Sequence, residues 1–166
     1  MRLIDPAPAG GRVVQLAAVD PGLRTATSVT IPQGQTSAEF SIVSNDVTEL
    51  QNARVVATLG DSTATASMVV KPLAIKAFAL SAATVKGGVS VEGTVTLDEV
   101  VGVNTLVTVE SADPAVVVVP SSTTVVKGGK ARTFTIKTKA VTAAKYVKIT
   151  VTKNGTSTYR TLKVTP

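Results

Sequence analysis

The feature that most narrows the possible folds is an internal repeat. Shifted by about 94 residues, "TIPQGQTSAEFSI" (30–42) falls on "TVVKGGKARTFTI" (124–136), so that Gly34 meets Gly128, Phe40 meets Phe134 and Ile42 meets Ile136. With a one-residue gap "VDP" (19–21) meets "ADP" (112–114), and at the ends "ASMVVKP" (66–72) meets "RTLKVTP" (160–166). A period this long is a whole domain per copy, since solenoid units repeat every ~20–50 residues. The copies are residues 1–72 and 73–166.

Each copy reads as short strands between turns. In the second, strands are expected at 73–81, 89–97, 104–110, 115–119, 122–126, 131–138, 146–152 and 157–164, with turns at "KGG" (86–88), "DP" (113–114), "KGGK" (127–130) and "KNGT" (153–156). The last is an Asn-Gly hairpin signal. Alternation is of period two: Val147, Ile149 and Val151 interleave with Lys148, Thr150 and Thr152. Strands with one dry face and one wet face, at regular spacing, predict antiparallel sandwiches, and no segment sustains a helical period. Composition agrees. Hydrophobic residues make up 44% of the chain but aromatics only 3%, so Val, Ala, Leu and Ile must fill the core while Thr and Ser cover it. That mixture suits half-buried pleated strands. No run of apolar residues is long enough for a membrane-spanning helix.

The stretch "LSAATVKGGVSVEGTVTLDEVVGVNTLVTVESADPAVVVVPSSTTVVKGGKARTFTIKT" resembles a bacterial immunoglobulin-like repeat of the kind strung in tandem in surface and extracellular proteins. The matching features are the "GG" turn, "G-x-V-x-L", "V-x-V-x-S-x-D-P-A", the "V-x-G" turn with "F-T-I", and the closing "T-L-x-V-x-P"; "PAPAGG" (6–11) fits the same family's loop. The resemblance implies an all-β protein of two tandem Ig-like antiparallel β-sandwiches. It implies a spacer, adhesive or structural role and no catalytic residues. On the same alignment "RLID" (2–5) meets "VTLD" (95–98), so the first copy is expected to start within its second strand, lacking a counterpart of residues 73–94. Arg2 would then stand where Val95 faces the core. Met1, Arg2, Leu3 and Ile4 become a candidate assembly joint, completed by strands from a neighbouring subunit, another polypeptide or an upstream segment.

Chemical motifs are sparse. With no Cys and no His, disulfides, thiolates and the commonest general base and metal ligand are excluded. Asp46 with Glu49, Asp98 with Glu99, and Asp61 are too dispersed for calcium, which wants about 6–8 converging oxygens. Ser and Thr are abundant, but a nucleophile needs a base and an orienting group. The reading is therefore no enzyme, no cofactor and no metal. A Lys–Asn isopeptide between Lys76 or Lys86 and Asn154 is set aside, because the hairpin explains Asn154 and the chemistry also needs a buried carboxylate.

Charge is uneven. Residues 1–72 carry five basic and six acidic side chains, whereas residues 73–166 carry twelve and five. After Pro114 there are ten basic residues and no acid: Lys127, Lys130, Arg132, Lys137, Lys139, Lys145, Lys148, Lys153, Arg160 and Lys163. Such a field attracts polyanions, although lysine on strands also guards edges and keeps a Thr-rich surface soluble. Nucleic acid is disfavoured, because only Tyr146 and Tyr159 offer rings for base stacking and no helix offers itself to a groove.

The expectation is a non-catalytic structural module of a bacterial extracellular or surface assembly: a stalk, filament or adhesin repeat working through strand edges. Its partners would be proteins, as a homo-oligomer, a polymer or other repeats of a longer chain, with an anionic envelope polymer as a further candidate. The absence of an apolar leader after Met1 raises a phage virion decoration or tail protein as the alternative. A polyanion- or carbohydrate-binding adhesion module is a third class.

Overall fold

A computed structural model describes residues 2–166; Met1, the first residue of the expected joint, lies outside the described residues. The described chain is all-β, with no helix. It divides into two compact units, Met1–Pro72 and Leu73–Pro166.

The first unit holds β1 (Arg12–Ala18), β2 (Leu23–Thr25), β3 (Ser28–Ile31), β4 (Ile42–Ser44), β5 (Gln51–Leu59) and β6 (Ser62–Val70). They form a four-stranded sheet in the order β3-β1-β5-β6 and a two-stranded sheet, β2-β4. The second unit holds β7 (Ile75–Leu80), β8 (Thr84–Lys86), β9 (Val91–Leu97), β10 (Thr105–Ser111), β11 (Val117–Val118), β12 (Ser122–Val125), β13 (Ala131–Thr138), β14 (Lys145–Lys153) and β15 (Thr156–Thr165). Here the sheets are β12-β10-β14-β15-β8 and β11-β13-β9-β7. Among the described residues all ladders are antiparallel except β15 with β8, a short parallel strand in a stretch, 82–88, where the sequence reading places no strand and only a turn at 86–88.

The two units share one pairing scheme. The β5–β6 hairpin runs from Gln51↔Val70 to Leu59↔Ser62, and the β14–β15 hairpin from Lys145↔Val164 to Lys153↔Thr156, a shift of 94 residues. The same shift carries Leu23↔Ser44 onto Val117↔Thr138. It also carries the bridge Arg2↔Ser37 onto Thr96↔Ala131. In the first unit the Ala7 amide donates to the Gln35 carbonyl and the Gly34 amide to the Ala7 carbonyl; in the second, Val101 exchanges the same bonds with Gly129 and Gly128.

These registers correct the expected place of Arg2. The Leu3 amide donates to the Thr36 carbonyl at 2.7 Å, as the Leu97 amide does to Lys130 at 2.8 Å. Leu3 therefore answers to Leu97 and packs on the core, and Arg2 answers to Thr96 and is exposed. A one-residue slip in the alignment had exchanged the faces.

The second unit is a sandwich over one continuous core. Phe78, Val91, Val95, Leu97, Phe134 and Ile136 of one sheet meet Val107, Val109, Val147, Ile149, Val151 and Leu162 of the other. Its aromatic centre is the stacked pair Phe78 and Phe134, with ring centroids 6.0 Å apart. Gly93 lies beneath that ring, where a Cβ would sit 2.9 Å from Phe134 Cζ. The first unit has two smaller clusters, one around Val14, Leu16 and Ile31 and one around Leu23, Ala53 and Val55. Phe40 packs against both but stays half-buried, which corrects the expected equivalence with Phe134. The physical reason lies in the strands beside it within its own sheet. Phe134 sits within β13, laddered to β9 and stacked on β7, whereas residues 38–41 belong to no strand of the first unit.

Candidate interaction surface

Two features of the surface bear on function: the distribution of basic side chains in the second unit, and the strand edges of both units. The ten basic residues do not form one patch. Lys127 and Lys130 lie in the turn between β12 and β13, Arg132 and Lys137 lie on β13, and Lys139 follows it. Lys145, Lys148 and Lys153 lie on β14, and Arg160 and Lys163 on β15. The set is thus shared between two sheets whose outer faces point in opposite directions. Lys153 is only 9% exposed, on the inward side of β14 with Ile149 and Val151.

What the fold does bring together is a smaller group on the outer face of the β14–β15 hairpin. Alternation points Tyr146, Lys148 and Thr150 outward, and the register sets Tyr146 opposite Lys163, Lys148 opposite Thr161, and Thr150 opposite Tyr159. The Lys148 ammonium lies 4.1 Å from the Tyr159 ring centroid, and the Lys163 ammonium 5.6 Å from that of Tyr146. The rings remain 69% exposed at Tyr146 and 53% at Tyr159. Glu110 of β10 borders this face opposite Thr150. In the sequence Tyr146 and Tyr159 count only as the two rings available for base stacking, not as part of a lysine face. The sequence signal that places them among the lysines is the Asn154-Gly155 dipeptide: with φ of 47° and 75° it makes a tight turn, and that turn fixes every cross-strand pair of the hairpin.

The expected joint resolves into three different environments. Arg2 is exposed and bridges to Ser37, Leu3 packs inward, and Ile4 is 98% exposed. With Asp5, Pro6, Arg12, Leu59 and Ser62 they line an open depression of the first unit. Among the described residues no three acidic, Cys or His side chains gather as a metal-ion site would require. The Asn154 amide donates to the Leu73 carbonyl at 3.1 Å.

The edges differ sharply. β3, β2, β4, β11 and β12 have four residues or fewer. β7 carries a bulge between Ile75 and Ala77, and β8 ends on Lys86. β15 is long, but it places Arg160 on the inward side opposite Ile149 and is paired by β8 at Lys163–Thr165. β6 has nine residues, Ser62–Val70, none charged, and among the described residues only β5 pairs with it.

No family model matches the chain, and no curated protein matches it. Among solved structures, domains 4 and 5 of the S-layer protein SbsC align at 17% identity and a TM-score of 0.41, covering 92% of this chain and 70% of that one. The longer structure rSbsC(31-844) aligns at 18% identity and a TM-score of 0.41, with 91% of this chain and 20% of that one covered. A protein of unknown function from Porphyromonas gingivalis W83 aligns at 14% identity and a TM-score of 0.35, covering 93% and 86%.

Proposed function

We propose that the chain is a non-catalytic structural module of a bacterial cell-surface or extracellular assembly, built from tandem Ig-like sandwiches that meet their neighbours through strand edges and outer sheet faces. The observation that carries this reading is the preserved register. Both units keep the same order and pairing for six corresponding strands, β1 to β6 and β10 to β15 without β7–β9. The outward chemistry meanwhile diverges, from six acids against five bases in residues 1–72 to five against twelve in residues 73–166. A scaffold copied in its strand pairing and resurfaced between copies suits a building block, whose work is done by contacts rather than by a cleft. The test is surface labelling of intact source cells with a membrane-impermeant amine reagent, followed by fractionation. The reading expects labelled lysines and recovery with envelope material. Unlabelled protein confined to the soluble lysate would overturn it.

A second reading rests on the Tyr146, Lys148, Tyr159 and Lys163 face. Two exposed rings with an ammonium beside each suit an anionic polymer whose sugar faces can lie on tyrosine. Such binding should weaken between 0.1 M and 1 M salt as the Debye length falls from ~10 Å to ~3 Å. It should be lost on changing Lys148 and Lys163 to Glu while Lys137→Glu, on the other sheet, leaves it in place. Salt-independent retention would sink it.

A further inference from the structure

We propose that the β6 edge of the first unit is a self-recognition site, pairing antiparallel with β6 of a second copy of this chain across a two-fold axis. This deepens the building-block reading by naming one of its contacts and rests on that reading for its biological use. An unpaired edge presents a row of free amide and carbonyl groups, and proteins blunt such edges by shortening, bulging, charging or covering them. Among the described residues every other edge strand is short, bulged, charged or covered, the stretch Ala131–Ile136 of β13 that β11 leaves open carrying Arg132, and β6 has none of these devices.

The comparison with β15 shows what is missing. At the 94-residue shift Ala66 occupies the place of Arg160 and Thr65 that of Tyr159. Arg160 is an inward-side charge at an exposed edge position, a device that makes strand addition costly, because the added strand would cover it. The β8 pairing at Lys163–Thr165 answers to positions 69–71, so even a full complement of strands like the second unit's would leave Ser62–Met68 open.

The occupant follows from the sequence of the edge itself. Ala64, Ala66 and Met68 lie on the inward side with Ala57, Val55 and Ala53, and Thr63, Thr65 and Ser67 lie outward with Thr58, Val56 and Arg54. Centred on Thr65, an antiparallel self-pairing sets Thr65 opposite Thr65, Ala64 opposite Ala66, and Thr63 opposite Ser67. Apolar meets apolar on one face and hydroxyl meets hydroxyl on the other, combinations that favour a ladder. No charged side chain on either strand opposes another, and every side chain from Thr63 to Ser67 is small enough to sit at strand spacing. The same patch serves both copies, as a closed two-fold contact requires.

The test uses the 166-residue chain, whose lack of cysteine makes engineered thiols clean reporters. Opposed Cα atoms in an antiparallel pair lie about 4.5–5.5 Å apart, inside the ~4.4–6.8 Å that a disulfide spans. Under copper-phenanthroline, Thr65→Cys should give a covalent dimer as its main product, whereas Tyr159→Cys, the matching position on β15, should not. By sedimentation velocity the parent chain should dimerise with concentration, and Ala66→Arg, which restores the guard of β15, should be monomeric with an unchanged circular dichroism spectrum. Equal association by the parent and Ala66→Arg overturns the proposal, as does a monomeric parent. Preferential disulfides between Thr65→Cys and Tyr159→Cys in a mixture of the two overturn the two-fold in favour of an open β6–β15 chain. All these readouts are on pure protein, so a chain that labels at the cell surface yet fails to dimerise separates failure of this contact from failure of the building-block reading.

Discussion

The same six strands, at the same register, hold cores of different size in the two units. Val147, Ile149 and Val151 line the inner side of β14, and the corresponding places on β5 are Ala53, Val55 and Ala57. Phe134 is buried with β9 and β7 beside it in its own sheet, and Phe40 is half-buried with no counterpart of those two strands among the described residues of its unit. Core volume follows the opposing layer: a two-stranded sheet leaves less apolar surface to meet, and the facing strand is trimmed to alanine. Register and core size are therefore separable. Backbone pairing, turn chemistry and alternation set the first, and the second depends on what lies across the core.

The largest test of this contrast is aromatic truncation. Phe134→Ala should cost about 3–5 kcal/mol, since it removes a buried ring and its stacking contact with Phe78 of the same sheet. Phe40→Ala, starting from a ring only partly buried, should cost about half that. Urea unfolding with a fluorescent probe in each unit reads the two separately, and equal losses would erase the distinction.

The Phe40 case also shows where sequence reading stopped. The fold class, the repeat, the Asn154–Gly155 hairpin and the dry faces of β13 and β14 were legible, because alternation and turn residues are local signals. The depth of burial at Phe40 was not: the repeat shows that residues 73–94 have no counterpart in the first copy, but how far a ring is uncovered without those strands depends on non-local packing that no local pattern encodes. Arg2 failed for a different reason: near a gap, one residue of misalignment inverts a strand. The tyrosine–lysine face lay between these cases, written in the alternation and the hairpin register but visible only when both are combined.

A smaller effect is expected beneath the ring. Gly93→Ala would place a methyl group 2.9 Å from Phe134 Cζ and from Ile136 Cδ1. Overpacking of this kind should destabilise the second unit by about 1–3 kcal/mol. The double change Gly93→Ala with Phe134→Leu should recover part of the loss, which a thermal melt of each variant would show. Next comes the hairpin. Gly155→Ala forces a Cβ into a turn at φ 75° and should cost about 1–2 kcal/mol. Its counterpart Gly60→Ala, at φ 56°, should cost the first unit a similar amount, because the two hairpins share one register. The smallest effect belongs to the exposed rings. Lys148→Ala removes an ammonium 4.1 Å from Tyr159 and should change stability by no more than about 0.5–1 kcal/mol.

Hydrogen exchange on the intact chain at low concentration tests the central contrast most directly. If core size follows the opposing layer, amides of 131–138 should be protected about a hundredfold or more beyond those of the matching residues 37–44, because several buried side chains, each worth ~1.5–3 kcal/mol, separate the two cores. Equal protection of the two stretches would contradict the account, showing that the first unit is as firmly held as the second despite its thinner second layer.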